Sequence, residues 1–411
     1  MSQAGISPLA PASVASLPPI AGVRLSGSAC GIRYKTRDDL MVAVLHPGTA
    51  IAGVFTRSKS PGAPVLWCRD ILGRGTARAI VVNAGNANVF TGKAGQAAVE
   101  ATAATAASLL DCAADEIYIA STGVIGEILP VDKIVGALPA AIAGTSPEGW
   151  EAASRAIMTT DTFPKTATRF ASIGGVEVRI NGFCKGSGMI APDMATMLGF
   201  VFTDAVLPPA VLQSLLSGAA EKSFNAITVD GDTSTSDTLL LAATGFSGNP
   251  PVKSASDPLL RGFRRALDDL MVDLAKQIVR DGEGAEKLIE IRVSGAKSAR
   301  AARRIGLTVG NSPLVKTAIA ASDANWGRIV AAVGRSGEAV DRDLLSIAIG
   351  GVTIADAGGL VAGYQEAPVA AHMAGREILI EIGLGLGRGS ATIWTCDLTH
   401  RYIDINGSYR S

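Results

Sequence analysis

The sequence predicts an α/β protein, soluble and rich in tight turns. Three observations carry that expectation: apolar runs alternate with turn residues from Gly22 onward, 47 of the 411 residues are glycine, and one long stretch has helical periodicity. Hydrophobic residues make up 48% and charged residues only 18%, which argues against a disordered chain. The length allows two or more cores. Lys plus Arg and Asp plus Glu both total 37, and no basic cluster interleaves with aromatics, which argues against a nucleic-acid partner. The five cysteines (Cys30, Cys68, Cys112, Cys184, Cys396) form no Cys-x-x-Cys pair, as expected of a reduced cytoplasmic protein with buried thiols.

Taken in order, the first 20 residues are rich in Ala, Pro and Ser and read as a flexible lead-in. They have no basic segment followed by an apolar run, so neither a signal nor a transit peptide is expected. No apolar run reaches the roughly 18 residues of a membrane span. Residues 40–45 and 50–55 read as two strands separated by Pro47-Gly48. Residues 79–83 form a β-branched strand that runs into the loop Asn83-Ala84-Gly85-Asn86-Ala87-Asn88, followed by an alanine-rich helix over 96–110. Gly92-Lys93 is no phosphate loop, because Ala87 and Ala94 stand where Gly and Ser/Thr are required.

A short strand at 117–120 ends in Ser121-Thr122-Gly123-Val124-Ile125-Gly126. Glycines there let backbone N–H groups face a ligand, although an ordinary strand-to-helix turn explains them as well. A helix over 147–158 leads into the polar cluster Thr159-Thr160-Asp161-Thr162-Phe163-Pro164-Lys165, which fits a helix cap or hydroxyl turns. Residues 176–179 read as a strand turned by Asn181-Gly182. Cys184, beside Lys185, reads as a small core residue.

Lys185-Gly186-Ser187-Gly188-Met189-Ile190-Ala191-Pro192-Asp193-Met194-Ala195-Thr196 then joins a glycine-rich turn to a proline-kinked connector and a threonine. That threonine opens an apolar strand over 197–203. A threonine hydroxyl needs a base, and one source is its own backbone amine, freed by cutting the preceding peptide bond. Such an amine titrates at about 7.7–8.0. Ala195–Thr196 suits that cut, since Ala195 is small and Pro192 stiffens the approach. On spacing alone, a loop entering a buried strand is the plainer reading.

Pro208-Pro209 opens an amphipathic helix to about residue 224. Asp230, Asp232 and Asp237 lie among hydroxyls but lack the bidentate glutamate of a calcium loop, so polar turn chemistry is expected there and no metal. Over 257–279, Leu260, Phe263, Leu267, Leu270, Leu274 and Ile278 share one helix face. That helix ends at Asp281-Gly282-Glu283-Gly284-Ala285, and strand 288–293 follows. Another helix starts within 311–317, and Trp326 and Arg328 beyond it suit structural and catalytic roles equally. Further strands are expected at 351–355, 377–382 and 391–396. Arg388 spoils a dinucleotide fingerprint at 383–388, and the terminal Tyr402 to Ser411 reads as a docking strand. His46, His372 and His400 are isolated, and neither a His-Glu-x-x-His nor a Gly-x-Ser-x-Gly motif occurs, which disfavours zinc and ordinary serine hydrolases.

The string Ala191-Pro192-Asp193-Met194-Ala195-Thr196-Met197-Leu198 closely resembles the self-cleavage site of the ornithine acetyltransferase family, also called glutamate N-acetyltransferases. Dispersed motifs extend the resemblance from about Gly22 to Ser411. It implies stacked β-sheets between helix layers, an αββα-like sandwich, with a smaller C-terminal α/β lobe. It also implies a precursor cut into an α chain, 1–195, and a β chain, 196–411, that assemble as a heterotetramer of two copies of each. The implied activity is an arginine-biosynthesis acyltransferase that moves acetyl from N2-acetylornithine to glutamate by a ping-pong route through acetyl-Thr196. Thr122 and Gly123 would form the oxyanion hole, and Thr159, Lys185, Glu283, Asn406 and Ser411 would surround the substrate. No cofactor is implied, and no motif decides whether acetyl-CoA is a second donor. The chain departs from the family pattern at its end: Ser411 replaces the usual threonine, and Gly407-Ser408 replaces Ala-Asp or Ala-Glu. Two alternatives stay open at this point. One is a self-cleaved amidohydrolase or aminopeptidase, and the other is a non-catalytic binding protein, which would have no need of a scissile bond.

Overall fold

The computed structural model describes residues 5–34, 36–191 and 197–407. The first half holds β1 (Val23–Ser28), β2 (Leu40–Phe55), α1 (Ala63–Ile71), β3 (Thr76–Asn86), α2 (Gly92–Leu110), β4 (Ile117–Val124), α3 (Val131–Ala143), α4 (Trp150–Ala156), β5 (Lys165–Ile173) and β6 (Val176–Lys185). After the connector come β7 (Leu198–Thr203), α5 (Pro209–Lys222), β8 (Thr238–Ala243) and α6 (Arg261–Arg280). The remainder holds β9 (Leu288–Ala296), α7 (Ala299–Gly310), α8 (Pro313–Ala320), α9 (Trp326–Gly334), β10 (Ser346–Ile349), β11 (Val352–Asp356), β12 (Gly359–Leu360), α10 (Glu366–Met373), β13 (Glu377–Gly383), β14 (Gly389–Cys396) and α11 (His400–Asn406).

The two runs expected as separate strands, 40–45 and 50–55, are one strand. Pro47-Gly48 does not end β2; the exposed His46-Pro47-Gly48 is a shift in its register with β3. The first half of β2 pairs with β1 and β3, and its second half pairs with β8. β2 thereby carries one eight-stranded sheet, ordered β4-β3-β2-β8-β7-β6-β5 with β1 on β2, from one layer into the next.

Alternation along the strands sends neighbouring residues to opposite faces, and here both faces are apolar because both are covered. Met41, Ile80 and Tyr118 meet Phe183, Phe200, Phe202 and Leu240 in a core between the two halves of the sheet. Leu40, Val81 and Ile119 pack outward on Ala103 and Ala107 of α2 and Leu138 of α3. On the other side, Ile180, Val201 and Leu241 pack on Leu216 of α5 and on Leu270 and Leu274 of α6. Helices, sheet, sheet, helices: the layering is the αββα sandwich. The C-terminal lobe adds a six-stranded sheet, β12-β11-β10-β13-β9-β14, whose Ile291, Val293 and Ile380 continue the α6 core.

Two further expectations are corrected. Asn181-Gly182 is no turn, since β6 runs through it paired to β5 and β7. Asn181 accepts from the Thr168 hydroxyl at 2.7 Å and donates to Pro18 O at 2.6 Å. A Cβ at Gly182 would fall 2.8 Å from Leu274 Cδ1, so the glycine lets α6 close on the sheet. The lead-in, from residue 5 on, is docked. Leu9, Leu17 and Ile20 are buried, and Ala15 O accepts from the Thr166 hydroxyl at 3.0 Å. No helix among the described residues is long and apolar enough to cross a membrane.

Candidate active site

β6 ends at Lys185, which pairs with Leu198 of β7, so residues 186–197 form the connection between two adjacent antiparallel strands. The expected scissile pair, Ala195 and Thr196, lies in 192–196, outside the described residues, as does Ser411. Both flanks are fixed. Asp237 Oδ1 accepts from Met197 N at 2.9 Å, and Met197 O accepts from Thr238 N at 3.2 Å. On the other side, the Asp230 carboxylate takes the N–H groups of Met189 at 2.6 Å and Ile190 at 2.9 Å. Met189 sits at φ +56°, a conformation a non-glycine residue adopts rarely and holds only when its surroundings impose it. The aspartates at 230 and 237 thus do the polar turn chemistry expected of them, and both grip this connection.

Lys185 is buried, and its Nζ donates to Thr122 Oγ1 at 3.1 Å, across the sandwich from β6 to β4. Burial lowers the Lys185 pKa, against the raising influence of Asp161, Glu283 and Asp237. Beside Thr122, Gly123 stands at φ +131°, and a Cβ there would lie 2.3 Å from the carbonyl carbon of Gly85. Only glycine fits, because β3 and β4 close on one another where their register shifts at Gly85 and Asn86.

Glu283 follows α6 and folds back on the Gly-rich turn. Its N–H donates to Ser187 O at 2.9 Å, and a Cβ at Gly188 would meet its Oε2 at 2.4 Å. Asn406 of α11 donates to Glu283 Oε2 at 2.8 Å. Burial raises the Glu283 pKa, partly offset by its hydrogen bonds from Asn406 and Thr160. Gly123, Thr159 and Glu283 line a cavity of about 400 Å³. Lys185 and Thr122 join it at Gly123, and Asn406 joins it through Glu283.

Beneath the cavity lies a group that the sequence reading passed over. Lys165 Nζ donates to Asp161 Oδ1 at 2.7 Å and to Asp281 Oδ2 at 2.6 Å, with all three side chains fully buried. Asp161 also accepts from Gly186 N at 2.7 Å and Thr159 N at 3.0 Å, and Asp281 takes both the N–H and the hydroxyl of Thr162. The three segments expected to bind substrate are therefore pinned to one buried ion cluster. A lysine four residues after an aspartate, next to Phe163-Pro164, was the available signal.

Other expectations resolve simply. Cys184 is buried, with burial pushing its thiol pKa up, and it is a core residue. Arg328 donates to Leu314 O at 2.7 Å within the C-terminal lobe, a structural bond. The expected terminal docking strand is, over its described residues, the helix α11.

Known proteins resemble this chain over nearly its whole length. The ArgJ family's sequence profile matches residues 24–411. An arginine biosynthesis bifunctional protein ArgJ of Gluconobacter oxydans is 61% identical over 406 residues, covering 99% of this chain and 96% of that protein. A protein of the same name from Bradyrhizobium diazoefficiens is 55% identical over 409 residues, 99% of each chain. Among solved structures, an arginine biosynthesis bifunctional protein ArgJ of Bacillus halodurans is 40% identical, covers 50% of this chain and 96% of its own, and has a TM-score of 0.49.

Proposed function

We propose that this chain, which belongs to the ArgJ family, is the acetyltransferase of arginine biosynthesis that moves acetyl from N2-acetylornithine to glutamate. The observation that carries the reading is the Lys185–Thr122 hydrogen bond, which brings the segment leading to Thr196 against the Thr122-Gly123 pair. The chain cuts itself between Ala195 and Thr196, giving an α chain of 1–195 and a β chain of 196–411. The freed Thr196 amine takes the hydroxyl proton, and the oxygen attacks the acetyl carbonyl of the donor. Donors at Thr122 and Gly123 stabilise the tetrahedral oxyanion, a contribution of about 2.7–4 kcal/mol per donor in comparable sites. Ornithine leaves with the proton, and the neutral amine of glutamate then attacks the acetyl carbonyl, the Thr196 amine taking its proton and returning it to the departing Thr196 oxygen.

Thr159, Lys185, Glu283, Asn406 and Ser411 surround the amino acid in this scheme, with Lys185 facing a carboxylate and Glu283 an ammonium. The products assemble as a heterotetramer in the cytoplasm. The test is formation of N-acetylglutamate from N2-acetylornithine and glutamate, with a single acetyl group on the larger fragment when glutamate is withheld. Release of acetate with no need for glutamate would point to the amidohydrolase alternative.

Glu283 gives a pH prediction. Its raised pKa means that the carboxylate takes up a proton above the ordinary range near 4.3. The KM for the amino-acid substrates is expected to rise on acidification from neutrality, earlier than a solvated glutamate would cause. Glu283→Gln should raise KM at neutral pH by about tenfold, the loss of one charge-assisted bond, and flatten that acid limb. A Glu283→Gln protein that matured and kept the wild-type KM at every pH would remove the ammonium role.

A further inference from the structure

An acetyl-threonine ester reaches an amine only if water is kept from it first. Water that reaches the acetyl carbonyl adds to it, the Thr196 oxygen leaves with a proton, and acetate departs in place of N-acetylglutamate. A ping-pong transferase therefore needs its cavity walled against solvent. Besides Gly123, Thr159 and Glu283, this cavity is lined by Gly5, Ser7 and Pro8 of the lead-in, a segment with no motif of its own.

The lead-in is fixed there by contacts to several elements. The Ser7 N–H donates to Thr162 Oγ1 at 2.9 Å, and the Thr162 hydroxyl in turn donates to Asp281 of the buried ion cluster. The Ser7 hydroxyl donates to Arg280 O at 2.6 Å. Arg280 is the last residue of α6, where a helix leaves its carbonyls without an internal partner. Ser7 thus caps the helix immediately before Asp281, and three residues before Glu283. The Arg376 guanidinium donates to Pro8 O, and Ala10 N closes a turn on Ser7 O at 3.0 Å. Leu9, inside that turn, is buried in the core that also holds Leu274 of α6 and Ile380 of β13.

An N-terminal stretch frays unless something ties it down. Here the ties join both products of the proposed cut, since Thr162 belongs to the α chain and Arg280 and Arg376 to the β chain. They hold Gly5, Ser7 and Pro8 against the cavity rather than elsewhere on the surface.

We propose that the lead-in is a working wall of the acetyl-transfer cavity, with Ser7 as its positioning residue and Leu9 as its anchor, and that it directs the acetyl group of Thr196 to an amine by keeping water out. The inference rests on the acetyl transfer proposed above.

The test uses the matured full chain with N2-acetylornithine and a fixed concentration of glutamate, and measures the ratio of acetate to N-acetylglutamate formed. Leu9→Ala changes a residue that does not line the cavity. Its ratio is expected to rise at least about tenfold, the scale of a truncated buried leucine. Ser7→Ala keeps the N–H bond to Thr162 but loses the bond to Arg280, so its ratio should rise by about fivefold, as for one hydrogen bond. The ratio counts only folded, acetylated enzyme, so a loss of stability alone does not move it. An unchanged ratio in Leu9→Ala, or in Ser7→Ala if the first variant does not accumulate, would overturn the inference while leaving the transferase reading intact. A wild-type protein that released acetate whether or not glutamate was present would overturn the transferase reading, and this inference with it.

Discussion

Thr196→Ala is expected to remain a single 411-residue chain under denaturing conditions, while the wild-type protein separates into two fragments, the larger beginning at Thr196. The reason is that one hydroxyl serves two reactions. It first attacks the Ala195 carbonyl to break the chain and later attacks the acetyl carbonyl of the donor. Alanine removes the nucleophile from both and also leaves the α-amine locked in a peptide bond. The loss of turnover should be on the order of 10⁶ in kcat, the size seen when an acyl-transfer nucleophile is deleted. The fixed flanks favour the cut. Asp230 holds Met189 and Ile190 upstream, with Met189 at a positive φ, and Asp237 and Thr238 hold Met197 downstream. Intact mass decides the matter. A wild-type chain that stayed uncut on prolonged incubation would take away the amine base and turn the reading toward a binding protein.

The parts of this site that were legible in the sequence are those whose chemistry is local. Gly-Glu-Gly at 282–284, Thr122-Gly123 and the Lys185 turn each carry their signal within a few neighbouring residues; in the structure Gly123 and residues 282–284 line one cavity, and Lys185 bonds Thr122 beside Gly123. What could not be read is what depends on residues far apart in the chain. Lys165 and Asp281 are separated by 116 positions, and no periodicity or spacing links them. The corner in β2 was hidden for a related reason. Pro47-Gly48 normally ends a strand, yet here each half of β2 finds a different partner, and only β8, nearly 200 positions later, keeps the second half in the same sheet. Asn181-Gly182 misled in the opposite direction. The pair has turn chemistry, but Asn181 bonds through its side chain and Gly182 answers to Leu270 and Leu274 of a helix that the local sequence cannot see. The docked N-terminal segment is a fourth case, since Leu9, Leu17 and Ile20 are too sparse to show a period and are buried only by the surface they meet.

The buried cluster yields the second large effect: Lys165→Met is expected to destabilise the protein by about 3–5 kcal/mol, because removing one partner leaves uncompensated charge in the interior. The midpoint of thermal unfolding should fall by on the order of 10 °C. The sign with pH follows from the direction of each shift. Lys165 holds the Asp161 pKa well below the usual carboxylate range, although burial alone would raise it. Its contribution is therefore complete above the unfolded value, about 3.9, and is lost only as pH falls through the depressed folded value. The Lys165 pKa is raised by Asp161 and Asp281 against burial, so its contribution is complete below about 10.4 and is lost only as pH rises beyond that. Burial raises the Asp281 pKa even beside Lys165, so on acidification Asp281 takes up a proton before Asp161 does, and the contribution of the intact cluster is constant only between that step and about pH 9. In the methionine variant the cation is gone, burial drives the carboxylate pKa values upward, and acidification relieves the penalty by protonating one of them. The stability gap between the two proteins should thus be widest at neutral and alkaline pH and should narrow toward pH 5. Chemical denaturation at several pH values measures it, and a gap below 1 kcal/mol, or one that stays constant with pH, would show that the cluster is not what holds these segments. Because Asp161 also takes the N–H groups of Gly186 and Thr159, the same substitution loosens both walls of the cavity at once, so a folded remnant of the variant should lose affinity for donor and acceptor together.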